Sequence, residues 1–343
     1  MGRKPTVNLN LPPHMRPRSR RGGKVFYYLR TSGTPRKEIP LGSDFIIALR
    51  KYADLMEADT AIRATTFADL EEKYATTALP KLATSTARMY RSDIKHLLAA
   101  FSEAPLAQIK PMHIKLFLDD HDDKPTTANR CKRLFSTMWN HARGWGYTDL
   151  PNPCEGIKGH SLEKRTTYIT DAIFNAVYEH ASASLRDAMD LAYLTGQRPA
   201  DALRMTAHDL VDGHLIVTQA KTQQPLRIIV GGALAELLER IHTRKGMRTI
   251  VTAALLTNMN GKRLTAPVLR NQFEAAREAA ALAYPTMAES IRNFRFYDLR
   301  AKAADDTSDM RGDQAASDLL GHDSIRTTQR HYLRRGKIVG STR

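Results

Sequence analysis

Two arginines, a lysine, a histidine and a tyrosine in the second half of the chain are spaced to do one kind of chemistry. In Leu194-Thr-Gly-Gln-Arg198-Pro-Ala-Asp201-Ala-Leu203, Gly196 permits a tight turn and Pro199 suits the first helical position, which fixes Arg198 at a helix start. Asp201, three residues on, is expected to orient its guanidinium. Lys221 sits at the tip of a hairpin turn, Gln219-Ala-Lys221-Thr-Gln-Gln-Pro225. Phe296-Tyr297-Asp-Leu-Arg300 opens a helix toward Ala304, so Tyr297 and Arg300, one turn apart, can share a face. Leu319-Leu-Gly-His322 ends a short helix at Gly321 and is expected to expose His322. A last helix starts from a Ser324 cap and carries Tyr332 near its end. Arginine forks stabilise the charge that builds on nonbridging phosphate oxygens. A tyrosine attacks phosphorus to leave a phosphotyrosyl ester, and a lysine protonates the departing oxygen. Singly these motifs are ordinary; together, in this order and in a basic chain, they point to a phosphodiester substrate.

The rest of the chain fits that substrate. Of 343 residues, 52 are Lys or Arg and 36 Asp or Glu, a net charge of +16, which calls for a polyanionic partner. An acidic membrane surface is the weaker alternative, because no apolar run nears the roughly 20 residues a span needs. The stretch Ile228 to Leu238 is broken by Gly231, Gly232 and Glu236 and reads as a strand then a helix. Two cysteines, Cys131 and Cys154, support neither a disulfide framework nor a zinc site, and no secretory signal begins the sequence, so a cytoplasmic protein is expected.

The elements that must position these residues fall into three units. Residues 1–62 begin with a Pro- and Arg-rich stretch without apolar period, expected to be a flexible arm. Strands at Lys24–Arg30 and Arg36–Leu41, a turn at Ser32-Gly33-Thr34 and a helix from Asp44 to Met56 follow. Basic side chains beside Phe26, Tyr27 and Tyr28 suit a sheet laid on DNA. Residues 63–160 read as helical: Thr66–Tyr74 with an N-terminal Thr, a helix with Met89, Ile94, Leu97 and Leu98 on one face, then Pro111–Leu118 and Thr126–Arg143. Arg88, Arg91, Lys95, Arg130, Lys132 and Arg133 are candidate phosphate contacts there. Lys158–Arg165 is a linker, and residues 165–343 are mostly helical around one β-hairpin, His214–Thr218 and Leu226–Val230.

On Thr195-Gly-Gln-Arg198 with Asp201 and Leu203, Lys221, Asp298-Leu-Arg300, Leu320-Gly-His322 and the Tyr332 helix, the sequence resembles the tyrosine recombinases, specifically phage-type integrases. The resemblance implies a mainly α fold with small β elements: an arm-binding β-plus-helix unit, a SAM-like helical core-binding domain and an α-rich catalytic domain. It also implies site-specific DNA cleavage and rejoining to integrate or excise a mobile element. In that scheme Arg198 and Arg300 clamp the phosphate, His322 adds a hydrogen bond, Lys221 is the general acid and Tyr332 forms a 3′-phosphotyrosyl link. Double-stranded attachment sites and a tetramer on DNA are implied as well, with room for DNA-bending accessory proteins and without metal or cofactor. Two departures stand out: Tyr297 occupies the place of a family histidine, and the interval from His322 to Tyr332 is one residue longer than usual in the family, so that family spacing lands on His331. A phenol with a pKa of about 10 is a poor base near neutrality, which leaves substrate oxygen, solvent or His331 to take the Tyr332 proton. A topoisomerase-like enzyme and a DNA-binding regulator with weakened chemistry are the alternative readings.

Overall fold

The computed structural model describes residues 11–19, 24–30, 38–62, 65–246, 252–336 and 339–342. The chain divides into two compact units, Met1–Glu163 and Lys164–Arg343. Both are mainly helical with small antiparallel sheets.

The first unit opens with strands β1 (Met15–Ser19), β2 (Val25–Arg30) and β3 (Glu38–Gly42), paired in that order, and helix α1 (Phe45–Ile62). Strand β1 corrects the expectation of a flexible arm over these residues. Met15 pairs with Leu29 and Arg18 with Phe26, so short-range alternation hides in a segment that looks only basic. Met15, Leu29 and Leu41 point inward onto Ala48 of α1. Because side chains alternate across a strand, Arg16, Arg18, Phe26 and Tyr28 share the opposite face, with the Arg18 guanidinium 5.4 Å from the Tyr28 ring centre. The expected Ser32–Thr34 turn lies outside the described residues.

Helices α2 (Phe67–Thr77), α3 (Thr84–Phe101), α4 (Pro111–Asp119) and α5 (Pro125–Gly144) build a separate core. Thr66 and Asp69 close a capping box that starts α2. Phe67, Phe101 and Phe135 pack ring to ring at its centre, 5.1 to 5.9 Å apart, with Trp139 stacked on Phe135. On α3 the buried stripe is Ala87, Ile94, Leu97 and Phe101; Met89 falls five residues before Ile94, well off that stripe, and is exposed rather than inward as expected. Two of the candidate phosphate contacts are committed elsewhere. Arg130 grips the fully buried Asp93 at 2.8 and 3.1 Å through Nε, and Lys132 donates to the Ile157 carbonyl. Arg88, Arg91, Lys95 and Arg133 are exposed.

The second unit contains α6 (Asp171–Glu179), α7 (Ala183–Thr195) and α8 (Pro199–Ala202). A sheet follows, of β4 (Leu210–Val211), β5 (His214–Thr218) and β6 (Pro225–Ile229), one short strand more than the expected hairpin. Then come α9 (Ala233–Gly246), α10 (Ala266–Ala283), α11 (Ala288–Asn293), α12 (Asp298–Arg311), α13 (Asp313–Leu320) and α14 (Ile325–His331). Leu185, Ala188, Met189 and Leu191 of α7 lie in a core with Leu215, Val217, Leu237, Phe273, Phe294 and Leu299. That core fixes α7, whose end leads into the turn that carries Arg198, and α12, which carries Arg300.

Candidate active site

Each candidate residue stands where an element begins or ends, and each junction has a local cause. Gly196 caps α7 at φ +63°, the left-handed conformation that glycine adopts without steric cost, and a Cβ there would meet Leu319 and Leu320 at 3.1 to 3.2 Å. Arg198 therefore leaves the turn as the N-cap of α8, with Pro199 at the first helical position. Its Nη1 donates to Gln219 Oε1 at 2.8 Å, whereas Asp201 is 3.9 Å away. Asp201 thus keeps a loose ion pair with Arg198 while Gln219 takes the hydrogen bond, and it also accepts the Ala220 backbone N–H at 2.9 Å, which steadies the hairpin loop. Lys221 is exposed on that loop.

Arg300 is 1% exposed on α12 and donates to the carbonyls of Gly196 (2.6 Å) and Leu320 (2.8 Å), while Nη2 lies 3.2 Å from His322 Nε2. Two helix C-termini are tied to one guanidinium, the cation a terminal carbonyl prefers. Its Nε is buried without a hydrogen-bond partner. Gly321 ends α13 at φ +63° and turns the chain so that His322 is half-buried, not exposed as expected. The His322 Nδ1 lies 2.8 Å from Thr328 Oγ1. Burial, and then the charges of Arg300 and Arg198, push the imidazole down to about 4, so it is neutral at physiological pH. With Arg300 donating to Nε2, the ring proton sits on Nδ1; the Thr328 hydroxyl, donor and acceptor both, serves either tautomer.

Tyr332 caps the end of α14 and is 9% exposed, its ring packed on Ala301, Ala304, Ala316 and Leu320. The Ser324 side chain makes no cap hydrogen bond at the other end of this helix. The Tyr332 phenol oxygen is 2.9 Å from that of Tyr297. The Arg300 guanidinium is 5.2 Å from the Tyr332 ring centre, and the His322 ring 4.9 Å. His331 is exposed. The longer interval after His322 thus delivers the tyrosine, not the histidine, to the two arginines.

Burial raises the Tyr332 phenol, but the Tyr297 hydrogen bond and the charges of Arg300 and Arg198 outweigh it, and the net shift is downward. Tyr297 goes the other way, pushed up to about 12 by burial and by its bond to Tyr332. Of the pair, Tyr332 is the one that gives up its proton first. The segment beyond is anchored too. Asp305 accepts the backbone N–H groups of Arg334 and Arg335 at 2.8 and 3.2 Å. The Arg334 guanidinium reaches Asp298 at 2.7 Å and the Thr167 carbonyl at 2.8 Å. Sequence reasoning missed Gln219, Thr328 and Asp305. Gln219 alone left a signal: Leu215 and Val217 alternate inward along β5, and the next inward position is a fully buried glutamine that needs partners.

A phenol seated against permanently charged guanidiniums, in a helical domain with one small sheet, is an arrangement suited to breaking and rejoining a phosphodiester. The phage integrase family profile matches residues 167–337, and through this domain the chain is similar to that family. The integrase of Enterobacteria phage 434 is 28% identical over 264 residues, 72% of this chain and 70% of that protein. A lambda integrase tetramer bound to a Holliday junction aligns with a TM-score of 0.68 at 25% identity, covering 92% of this chain and 97% of that one. A lambda integrase dimer bound to a COC′ core site shares the fold at a TM-score of 0.70 and 23% identity, with 98% and 99% covered. Among the described residues no helix is long and apolar enough to cross a membrane.

Proposed function

We propose that this site-specific recombinase cleaves and rejoins attachment-site DNA with Tyr332 as nucleophile, to integrate or excise a mobile element in the cytoplasm of a host cell. The Tyr332 oxygen, its proton passed to solvent, attacks phosphorus, the bond to the 5′ oxygen breaks, and Lys221 protonates that oxygen as it leaves. A 3′-phosphotyrosyl link remains, and reversal with a different 5′ hydroxyl rejoins the strand. Arg198 and Arg300 neutralise the nonbridging oxygens; with the phosphate in place of the Arg300 contact, His322 takes the Nε2–H tautomer, Thr328 donating to Nδ1, and donates to one of them. Tyr297 keeps its proton and donates to the Tyr332 oxygen, in place of a histidine. The observation that carries this reading is the seating of Tyr332 in its own chain's site, 2.9 Å from Tyr297 and against Arg300.

The reading extends to the whole chain. Residues 165–343 are the catalytic domain and residues 63–160 the core-binding domain, whose exposed Arg88, Arg91, Lys95 and Arg133 meet phosphates. Residues 1–62 bind arm-type sites through the outer face of the sheet, where Arg16 and Arg18 alternate with Phe26 and Tyr28. Strand exchange takes place in a tetramer of this chain on two duplexes, to which DNA-bending accessory proteins contribute. The test is covalent trapping on a nicked duplex carrying the attachment sequence. Wild type gives an adduct on a denaturing gel and Tyr332→Phe gives none. An adduct that survives in Tyr332→Phe sinks the assignment, and absence of any adduct in wild type favours a DNA-binding regulator.

A further inference from the structure

Gln219 has no exposed surface, and all four hydrogen-bonding positions of its amide are used. Its Oε1 accepts from Arg198 Nη1 at 2.8 Å and from Thr222 Oγ1 at 2.9 Å. Its Nε2 donates to Gln197 Oε1 at 2.8 Å and to the Leu320 carbonyl at 2.9 Å. These partners lie on three different elements. Arg198 starts α8, Thr222 adjoins Lys221 on the β5–β6 loop, and Leu320 ends α13 two residues before His322. The Leu320 carbonyl also accepts from Arg300 Nη2, so a single acceptor joins the glutamine to the second arginine. The fit is close enough that a Cβ on Gly321 would stand 2.9 Å from Gln219 Nε2.

We propose that Gln219 is a positioning residue that holds the Lys221 loop in register with the Arg198–Arg300 clamp. It touches no reacting atom. It acts through Thr222 on the loop and through Arg198 on the phosphate site, while Asp201 secures the same loop from the Ala220 side. A lysine on a hairpin tip is otherwise free to sample many rotamers, and proton transfer in the transition state requires hydrogen-bond distance. An apolar residue here severs loop from clamp, and a glutamate keeps the acceptor but loses both donors.

The inference rests on the reading of Lys221 as general acid, and the test separates the two. Strand cleavage is timed in single turnover on a duplex with the normal 5′ oxygen leaving group, and on one with a 5′-bridging sulfur at the scissile position, whose thiolate leaves without a proton. Lys221→Ala is expected to be slow on oxygen and near wild type on sulfur; if sulfur does not restore it, the general-acid reading fails. Gln219→Met is expected to lose about 100-fold on oxygen and to recover about tenfold of that on sulfur, the remainder being the loosened Arg198. Thr222→Val, on the exposed loop, keeps the core intact and decides the matter even where Gln219→Met fails to fold. It should lose about tenfold on oxygen and recover fully on sulfur. If Lys221→Ala recovers on sulfur while Thr222→Val shows no loss, or a loss equal on both substrates, Gln219 does not position the loop and the proposal is overturned.

Discussion

The Tyr297–Tyr332 pair sets the proton inventory of the site. Two phenols 2.9 Å apart share one hydrogen bond, and the anion belongs on the partner nearer the guanidiniums. Tyr297, pushed up to about 12, stays protonated and donates. Tyr297→Phe removes a bond that lowers the Tyr332 phenol, so less phenolate is present at a given pH. Single-turnover cleavage at pH 7 should fall about tenfold, as loss of roughly 1 to 1.5 kcal/mol implies. The deficit should shrink as pH rises, because both proteins then approach full ionisation; an unchanged pH profile removes Tyr297 from this role. Tyr297→His restores a donor and should leave activity intact or higher, and its complete loss would mean the phenol is indispensable. His322 affects stability instead. The native state refuses a proton until about pH 4, whereas the unfolded chain takes it near 6.5, so stability falls as pH drops through that window. Urea midpoints of His322→Asn, measured from pH 7 to 4, should decline less steeply than wild type; parallel declines would show that other groups account for the acid sensitivity.

Helix α12 is the element on which nucleophile and clamp meet. Arg300 faces the site, Ala301 and Ala304 are small enough to admit the Tyr332 ring, and Asp298 and Asp305, seven residues apart on one face, hold the segment just past the tyrosine. Asp305→Ala deletes the acceptor of two amides in that segment. Adduct formation should slow about tenfold while DNA affinity stays within twofold, since no phosphate contact is lost. A drop in affinity with an unchanged cleavage rate would refute a role for Asp305 in seating the tyrosine. This helix also shows how far local signals reach. Its start at Tyr297, the stop of α13 at Gly321 and the position of Tyr332 at a helix end are legible in the sequence from caps, glycine and spacing. Its buried face is not, because Arg300, Lys302 and Asp305 are inside and break the apolar period from which burial is read. Partner choice is equally hidden. Asp201 and Arg198, three apart, keep an ion pair at 3.9 Å, but the hydrogen bond they invite goes to Gln219, 21 residues from Arg198. Arg130 looks like a phosphate contact until Asp93, 37 residues away, claims it. Contacts set by tertiary packing leave no trace in spacing; the alternation of Leu215 and Val217 is a signal for an inward Gln219 that the sequence reading did not use.

Charge is distributed along the whole molecule in a way that separates attraction from chemistry. Residues 1–51 hold twelve Lys or Arg against two acids, ten of the sixteen positive charges in excess. Binding that releases counterions weakens with salt in proportion to the phosphates neutralised, with a slope of about −0.9 per contact. Removing residues 1–62 takes away a sheet whose small core of Met15, Leu29, Leu41 and Ala48 is separate from the core of α2 to α5, so the remaining helices keep their own packing. The shortened chain should lose arm-type binding and show a log–log salt slope shallower by several phosphate contacts on any long duplex. Cleavage of a core site should persist, because Arg198, Lys221, Arg300, His322 and Tyr332 all lie in the second unit. Equal loss at arm-type and core sites would mean that the basic sheet serves the core complex and is not a separable reader. An unchanged salt slope would place the phosphate contacts elsewhere, on the exposed cations of α3 and α5.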